Sequence, residues 1–233
     1  MLSPELNKKI EHAVQILQEA ASEYAPAVFS SSYGLEDMVI CDLIAREDLP
    51  IEIATLDTGR HFEETYALMQ EAKKRYPQLH FSIYFPESQD VESFVNAHGP
   101  DAFYQSKALR QQCCHIRKVK PLQRLLAGKQ SWITGIRRQQ SITRKDTPFK
   151  EFDTDHNLWK FNPLVDWSYQ ETWHYIRYYE VPYNALHEKG YPSIGCAPCT
   201  RAIAIGEDYR AGRWWWEEPE ARECGLHVKR QVG

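Results

Sequence analysis

Two tight pairs of cysteines are the most chemically specific feature of this sequence: Cys113-Cys114, and further along Cys196-Ala197-Pro198-Cys199. Four thiolates grouped this way can serve one metal centre. A CxxC suits a tetrahedral ion. Adjacent cysteines suit a single zinc poorly, because neighbouring side chains diverge, and fit a cubane better, since each thiolate can bind a different iron. The favoured expectation is therefore a 4Fe-4S cluster on Cys113, Cys114, Cys196 and Cys199, with zinc or a redox CxxC as alternatives. Cys41, alone in an apolar helical pattern, reads as a buried structural thiol.

Basic residues gather around these cysteines. Lys118 follows the vicinal pair, Arg144 lies on the polar stretch GIRRQQSITRKD, and Arg210 and Arg213 flank Gly212. Any one of them alone is ordinarily a solvated charge. Together they suit a multiply charged anion, which arginine grips in fork geometry and lysine meets as a point charge. Two turn-like segments add donors. Ser31, Ser32 and Gly34 in SSSYG offer backbone N–H groups at a strand-to-helix turn. The run Asp57-Thr58-Gly59-Arg60 closes a second strand in the same way. Each is weak alone, since Ser30 to Ser32 can simply end a strand and Asp57 can cap a helix. No Gly-Lys-Ser/Thr follows SSSYG, which excludes a Walker A loop. Near the end stands Cys224, flanked by Arg222 and His227. Positive neighbours lower a thiol's pKa and enrich the thiolate, so Cys224 is the candidate nucleophile, on a polar tail (218–233) able to move.

The elements that must position these residues alternate. Helical spacing runs from Ser3 to about Ser22, Leu35 to Arg46, about His61 to Arg75, about Val91 to Ala97, and Ile116 to Leu126. Strands are expected at AVFS before the serines, at Ile51 to Leu56, at Phe81 to Phe85 and at Ser131 to Thr134. Ser168-x-x-Glu171 opens a further, aromatic-rich helix to Tyr179 with a capping box. The last stretch, rich in proline and glycine, reads as irregular structure around a site. This rhythm implies an α/β fold: a parallel sheet covered on both faces, with ligands at the carboxyl ends of the strands. SSSYG and DTGR both fall there. The Trp214 to Trp216 run reads as packing, and His61, His115, His156, His174 and His187 lack a spacing that demands metal ligation.

A net charge of −4 argues against nucleic-acid binding and against a polybasic membrane anchor. No apolar run approaches the ~20 residues of a membrane span, and the first residues lack a signal-peptide core. A cytoplasmic protein of one domain (1–233) is expected, in which cysteines do metal or redox work rather than form disulfides.

The ordered motifs SSYGLED (31–37), LDTGR (56–60), CCHIRKVKPL (113–122), TGIRRQQSITR (134–144), GCAPCTR (195–201), GEDYRAGRWWWE (206–217) and ECGLH (223–227) resemble those of the adenylyl-sulfate and phosphoadenylyl-sulfate reductases. The resemblance implies an adenine-nucleotide α-hydrolase-like fold, with Ser32-Tyr33-Gly34-Leu35-Glu36-Asp37 replacing the Ser-Gly-Gly loop of ATP-cleaving relatives. It implies reduction of adenylyl sulfate to sulfite and AMP in sulfate assimilation, through a Cys224 S-sulfonate. By motif position, Lys118, Arg144, Arg210 and Arg213 hold the phosphosulfate, and Ser31, Ser32, Gly34 and Asp57 to Arg60 hold the rest of the nucleotide. His227 tunes or orients Cys224. The cluster cysteines favour adenylyl sulfate over its 3′-phosphorylated form, which remains the alternative substrate. Thioredoxin is the implied electron donor and a homo-oligomer the implied assembly.

Overall fold

The computed structural model describes residues 1–218, with Cys224, His227 and the rest of 219–233 outside the described residues. Its centre is a six-stranded sheet in the order β3-β2-β1-β4-β6-β5. The strands are β1 (Ala27–Ser30), β2 (Ile51–Leu56), β3 (Phe81–Tyr84), β4 (Ser131–Ile133), β5 (Lys150–Asp153) and β6 (Leu158–Phe161). All neighbours pair in parallel except β5, which lies antiparallel on β6.

The short apolar strands at the centre of the sheet must be buried on both faces, and their alternate side chains divide between two cores. Phe29, Ile51, Ile53, Ile133 and Phe161 face one core. It is closed by α1 (Pro4–Glu23), α2 (Leu35–Arg46), α3 (Glu63–Arg75) and α7 (Tyr169–Tyr178). Val28, Ala54, Trp132 and Leu158 face the other, against Leu122, Leu125 and Leu126 of α6 (Lys120–Leu126). The remaining helices are α4 (Ser88–His98) and α5 (Lys107–Cys114). Where α2 meets α7, the buried Asp42 carboxylate accepts hydrogen bonds from Tyr76 (3.0 Å) and Tyr175 (2.7 Å). Both tyrosines are thereby kept protonated in an apolar core. Ser168 and Glu171 form the expected capping box, at 3.1 and 2.7 Å.

Two regions differ from the sequence reading. The β5–β6 hairpin has no expected counterpart, because Lys150, Glu151, Asp153 and Lys160 hide its period-two pattern. Its turn contains Asn157 at φ 54, a left-handed position that asparagine tolerates. The expected helix from Ile116 to Leu126 begins earlier. Helix α5 runs through Cys114 and continues as a π-helical turn, His115–Val119, into α6. Such turns recur at functional sites because they re-aim side chains, and this one carries Lys118.

Chain order reverses beside β1: β2 and β3 build outward on one side, β4 and then β6 on the other. That reversal leaves a crevice at the carboxyl ends of β1 and β4, the place where open α/β sheets take their ligands.

Candidate active site

The crevice is a cleft of ≈ 190 Å³. Its floor is Ser30, Ser31, Ser32 and Gly34 after β1, with Thr134 and Gly135 after β4. Lys118, Arg144, Arg210 and Arg213 also line it. Residues scattered over a helix, a loop and the C-terminal segment thus converge as one cationic wall opposite the serine turn. This is the arrangement a phosphorylated anion requires.

The three arginines are held by contacts of their own. Arg144 donates to Gln140 Oε1 at 2.5 Å. Arg213 is 7% exposed and donates to Ile194 O (3.1 Å) and Ser193 Oγ (3.4 Å). Its guanidinium lies so close to Gly195 that a Cβ there would sit 2.2 Å from a terminal nitrogen. Arg213 Nε is buried without a hydrogen-bond partner among the described residues, so the guanidinium keeps unspent donor capacity beside the cleft. Arg210 and Arg213 stand 5.9 and 4.8 Å from the Trp214 ring, a cation–π contact that fixes both relative to that side chain.

The serine turn is occupied from within. Asp37 Oδ2, in the first turn of α2, accepts Ser32 N (2.6 Å), Ser32 Oγ (2.8 Å) and Gly34 N (3.4 Å). The N–H groups expected to meet an anion therefore already meet a carboxylate. Burial pushes the Asp37 carboxyl up to about 6, against the opposing pull of those hydrogen bonds. Its other oxygen faces Gly135, where a Cβ would lie 2.2 Å from Oδ1. A glycine is required for the two turns to approach this closely. Neither Asp37 nor Gly135 is distinguishable in the sequence from an ordinary first-turn acid and an ordinary turn residue. His61 and His187 also line the cleft, and burial lowers the pKa of each. Their carbonyl partners are Leu56 O (3.1 Å) and Tyr191 O (2.8 Å).

Asp57, Thr58, Gly59 and Arg60 are not among the cleft-lining residues. They bracket the cysteine segment instead. Thr58 Oγ1 lies 3.3 Å from Cys196 Sγ, and Arg60 O accepts Ala197 N at 2.8 Å. Thr58 O accepts Arg117 at 2.6 Å, and Arg60 reaches Asp101 and Pro100 O.

The expectation of a 4Fe-4S cluster, and with it the reading as an iron–sulfur, metal-binding protein, is corrected by the structure. Among the described residues no group of three or more His, Cys, Asp or Glu side chains could hold a metal ion. Cys113 and Cys114 are consecutive on α5, so their side chains leave the helix about 100° apart. Cys114 interacts with Arg110, whereas Cys113 looks toward Arg117 and Cys196. Cys113, Cys196 and Cys199 pack with Phe103, Trp214 and Trp216 as apolar side chains. Burial and the neighbouring Cys196 push the Cys199 thiol up to about 12. The residues as arranged do not fit the group.

A mostly parallel sheet with a cation-walled crevice at its point of chain reversal defines an α/β protein that holds phosphorylated ligands. Comparison with known proteins narrows this. Residues 26–202 match the model of the phosphoadenosine phosphosulfate reductase domain, and the chain belongs to that family. It is 51% identical over 215 residues to the adenosine 5′-phosphosulfate reductase of Allochromatium vinosum, covering 92% of this chain and 84% of that one. It is 47% identical over 222 residues to the protein of the same name from Neisseria meningitidis serogroup A, covering 95% and 91%. The phosphate complex of phosphoadenylyl-sulfate (PAPS) reductase from Candida auris superposes with a TM-score of 0.68 at 28% identity, covering 87% of this chain and 98% of that one. An FMN adenylyltransferase from Candida glabrata, 16% identical with a TM-score of 0.56, shares the fold alone. Among the described residues no helix is long and apolar enough to cross a membrane.

Proposed function

We propose that this chain reduces adenosine 5′-phosphosulfate to sulfite and AMP, the reductive step of sulfate assimilation, with Cys224 as nucleophile and thioredoxin as electron donor in the cytoplasm. The observation that carries the reading is the convergence of Lys118, Arg144, Arg210 and Arg213 on one cleft. It is supported by high identity to reductases of that nucleotide. The substrate carries two adjacent anionic groups on a nucleoside, and a cationic wall facing a serine turn suits it.

In the proposed reaction the cationic wall holds the phosphosulfate and offsets charge building on the departing phosphate. The Cys224 thiolate attacks the sulfate sulfur. A sulfur–sulfur bond forms, the sulfur–oxygen bond to phosphate breaks, and AMP leaves with that electron pair. A thioredoxin thiolate then attacks the Cys224 sulfur, and sulfite departs with the electron pair of the cleaved bond. Thioredoxin's second thiol resolves the mixed disulfide and frees Cys224, so the dithiol supplies both electrons. His227, in the same motif, is assigned to orienting or tuning Cys224.

The test is sulfite release under anaerobic conditions with thioredoxin, comparing adenylyl sulfate with its 3′-phosphorylated form. Cys224→Ser should lower release at least ~1,000-fold, as loss of a covalent nucleophile does. Without thioredoxin, the parent protein should yield one equivalent of AMP and a Cys224 adduct with the mass of one sulfonate. Undiminished sulfite release by Cys224→Ser would end this reading.

A further inference from the structure

Two ion pairs among the described residues have both side chains almost wholly buried; one ends on the segment that carries the cleft arginines, and the other is met by that segment's Tyr209. Arg110 of α5 grips Glu217 through two parallel bonds, Nε to Oε1 at 2.9 Å and a terminal nitrogen to Oε2 at 2.8 Å. The two side chains are 1% and 7% exposed. Arg137, after β4, donates to Glu36 Oε1 at 2.6 Å, again with exposures of 1% and 7%. The Tyr209 hydroxyl stands 3.5 Å from the same Glu36 oxygen, and its ring lies 5.6 Å from the Arg137 guanidinium. Tyr209 precedes Arg210 directly, and Glu217 follows Arg213 by one turn of chain.

Between these ends the segment is pinned by its backbone. Arg201 N donates to Gly212 O (3.0 Å) and Trp214 N to Cys199 O (3.1 Å). Gly212 permits that contact, since a Cβ there would lie 2.3 Å from Arg201 O. Arg110 also stands 4.8 Å from the Trp214 ring, the ring that Arg210 and Arg213 approach. A buried ion pair adds little stability over a well-packed apolar pair, because desolvation offsets the attraction. What it does supply is direction, since a two-point guanidinium–carboxylate contact admits one geometry.

We infer that the Arg110–Glu217 and Glu36–Arg137–Tyr209 contacts are positioning clamps. They fix both ends of the Tyr209–Glu217 segment so that Arg210 and Arg213 meet the anionic part of the nucleotide. Arg110, Glu217 and Arg137 lie off the cleft and are positioning residues that act through the two arginines; Glu36 and Tyr209 complete the second clamp at the cleft wall itself. The inference rests on the reading that those arginines hold the phosphosulfate.

The experiment uses full-length protein bearing Cys224→Ser, which cannot turn over, and measures binding of adenylyl sulfate and of adenosine by calorimetry, with thermal melts alongside. Arg213→Gln serves as the reference for the arginine wall. Arg110→Met with Glu217→Leu replaces one clamp by an apolar pair. It should leave the melting temperature within a few degrees of the parent and adenosine affinity within about twofold. Adenylyl sulfate affinity should fall about tenfold, because misplaced charge loses most of its directed interaction. Glu217→Gln, which keeps the shape and lies off the cleft, should show the same split to a smaller degree, and it serves if the double variant does not fold. A general structural role would weaken both ligands together, and that result would overturn the inference. An unchanged adenylyl sulfate affinity in folded clamp variants, with a tenfold loss in Arg213→Gln, would overturn the clamps alone. No loss in Arg213→Gln would overturn the reading of the arginine wall and the clamps with it.

Discussion

The turns that close β1 and β2 leave adjacent parallel strands, and each is organised by an aspartate taking N–H groups of its own turn. In the first, Asp37 accepts Ser32 N and Gly34 N; in the second, Asp57 Oδ1 accepts Gly59 N at 2.7 Å and the Tyr66 hydroxyl at 2.9 Å. Their work differs because of where their strands lie. Beside β1 the sheet order reverses toward β4, and the first turn opens on the cleft. The second stands one strand away, and Thr58 and Arg60 spend their polar atoms on the cysteine segment. Sequence kind and strand position do not by themselves make a ligand turn. The crevice is made where the strand order reverses, and a turn away from that reversal becomes a bracket.

The largest expected effect concerns the carboxylate inside the first turn. Burial raises Asp37 from 3.8 to about 6. A carboxyl whose folded value lies above its unfolded one binds its proton more tightly in the native state. Its stabilising contribution is complete in acid, below about pH 4, and is lost as pH rises through about 6. Asp37→Asn cannot titrate there. Between pH 4 and pH 7 the stability difference should therefore move in favour of the variant by on the order of 3 kcal/mol. Urea denaturation at fixed ionic strength reads this directly. A difference that stays flat across that range would mean the carboxylate is solvated, and the first turn would lose its distinction as a buried floor of the cleft.

A somewhat smaller effect tests the closeness of the β1 and β4 turns. At Gly135 a methyl group would meet Asp37 Oδ1 at 2.2 Å and Glu36 Cβ at 3.3 Å. Gly135→Ala should destabilise the protein by about 1–3 kcal/mol, the cost of overpacking, and weaken adenylyl sulfate binding as the turns part. At Gly59 in the second turn, the nearest atom to a Cβ would be the end of Arg117 at 3.6 Å, so nothing comparable presses there. A Gly135→Ala protein as stable as its parent would show that the two turns separate freely.

Much of this contrast was legible in the chain. Apolar runs located β1, β2 and β4, because strands buried on both faces leave unbroken hydrophobic stretches; the edge strand β3, with Ile83 half exposed, was legible from its aromatic and β-branched residues, and helical spacing located the helices between them. Lys118, Arg144, Arg210 and Arg213 were legible as a group through their motifs, and the structure brings them to one wall. What stayed hidden depends on neighbours distant in sequence. Lys160 is buried on β6 because the Trp132 ring and Glu151 receive it, at 5.2 and 3.6 Å, and no local pattern announces that. Arg137 stands in the basic stretch GIRRQQSITRKD and Glu36 in the SSYGLED motif, and they become a buried pair only when the first turn meets the loop after β4. The cysteine pairs misled in the opposite direction. Spacing along the chain suggested four converging thiolates, but helix geometry at Cys113 and Cys114 sends neighbours to different surroundings.

The smallest effect is expected at Thr58, and there the informative result is the quantity that stays fixed. Thr58 is fully buried, with its hydroxyl 3.3 Å from Cys196 Sγ and 3.3 Å from Arg60 N. Thr58→Val keeps the shape and removes both contacts, leaving Arg60 N without that acceptor. The loss should be about 1 kcal/mol, as for a single buried hydrogen bond, seen as a small drop in the urea midpoint. The KM for adenylyl sulfate in the sulfite-release assay should stay within about twofold, because the hydroxyl faces the cysteine segment and not the cleft. If KM instead rose tenfold while the urea midpoint held, the second turn would belong to the nucleotide site. The difference between the turns would then be one of contact with different parts of one ligand, and strand order would no longer account for it.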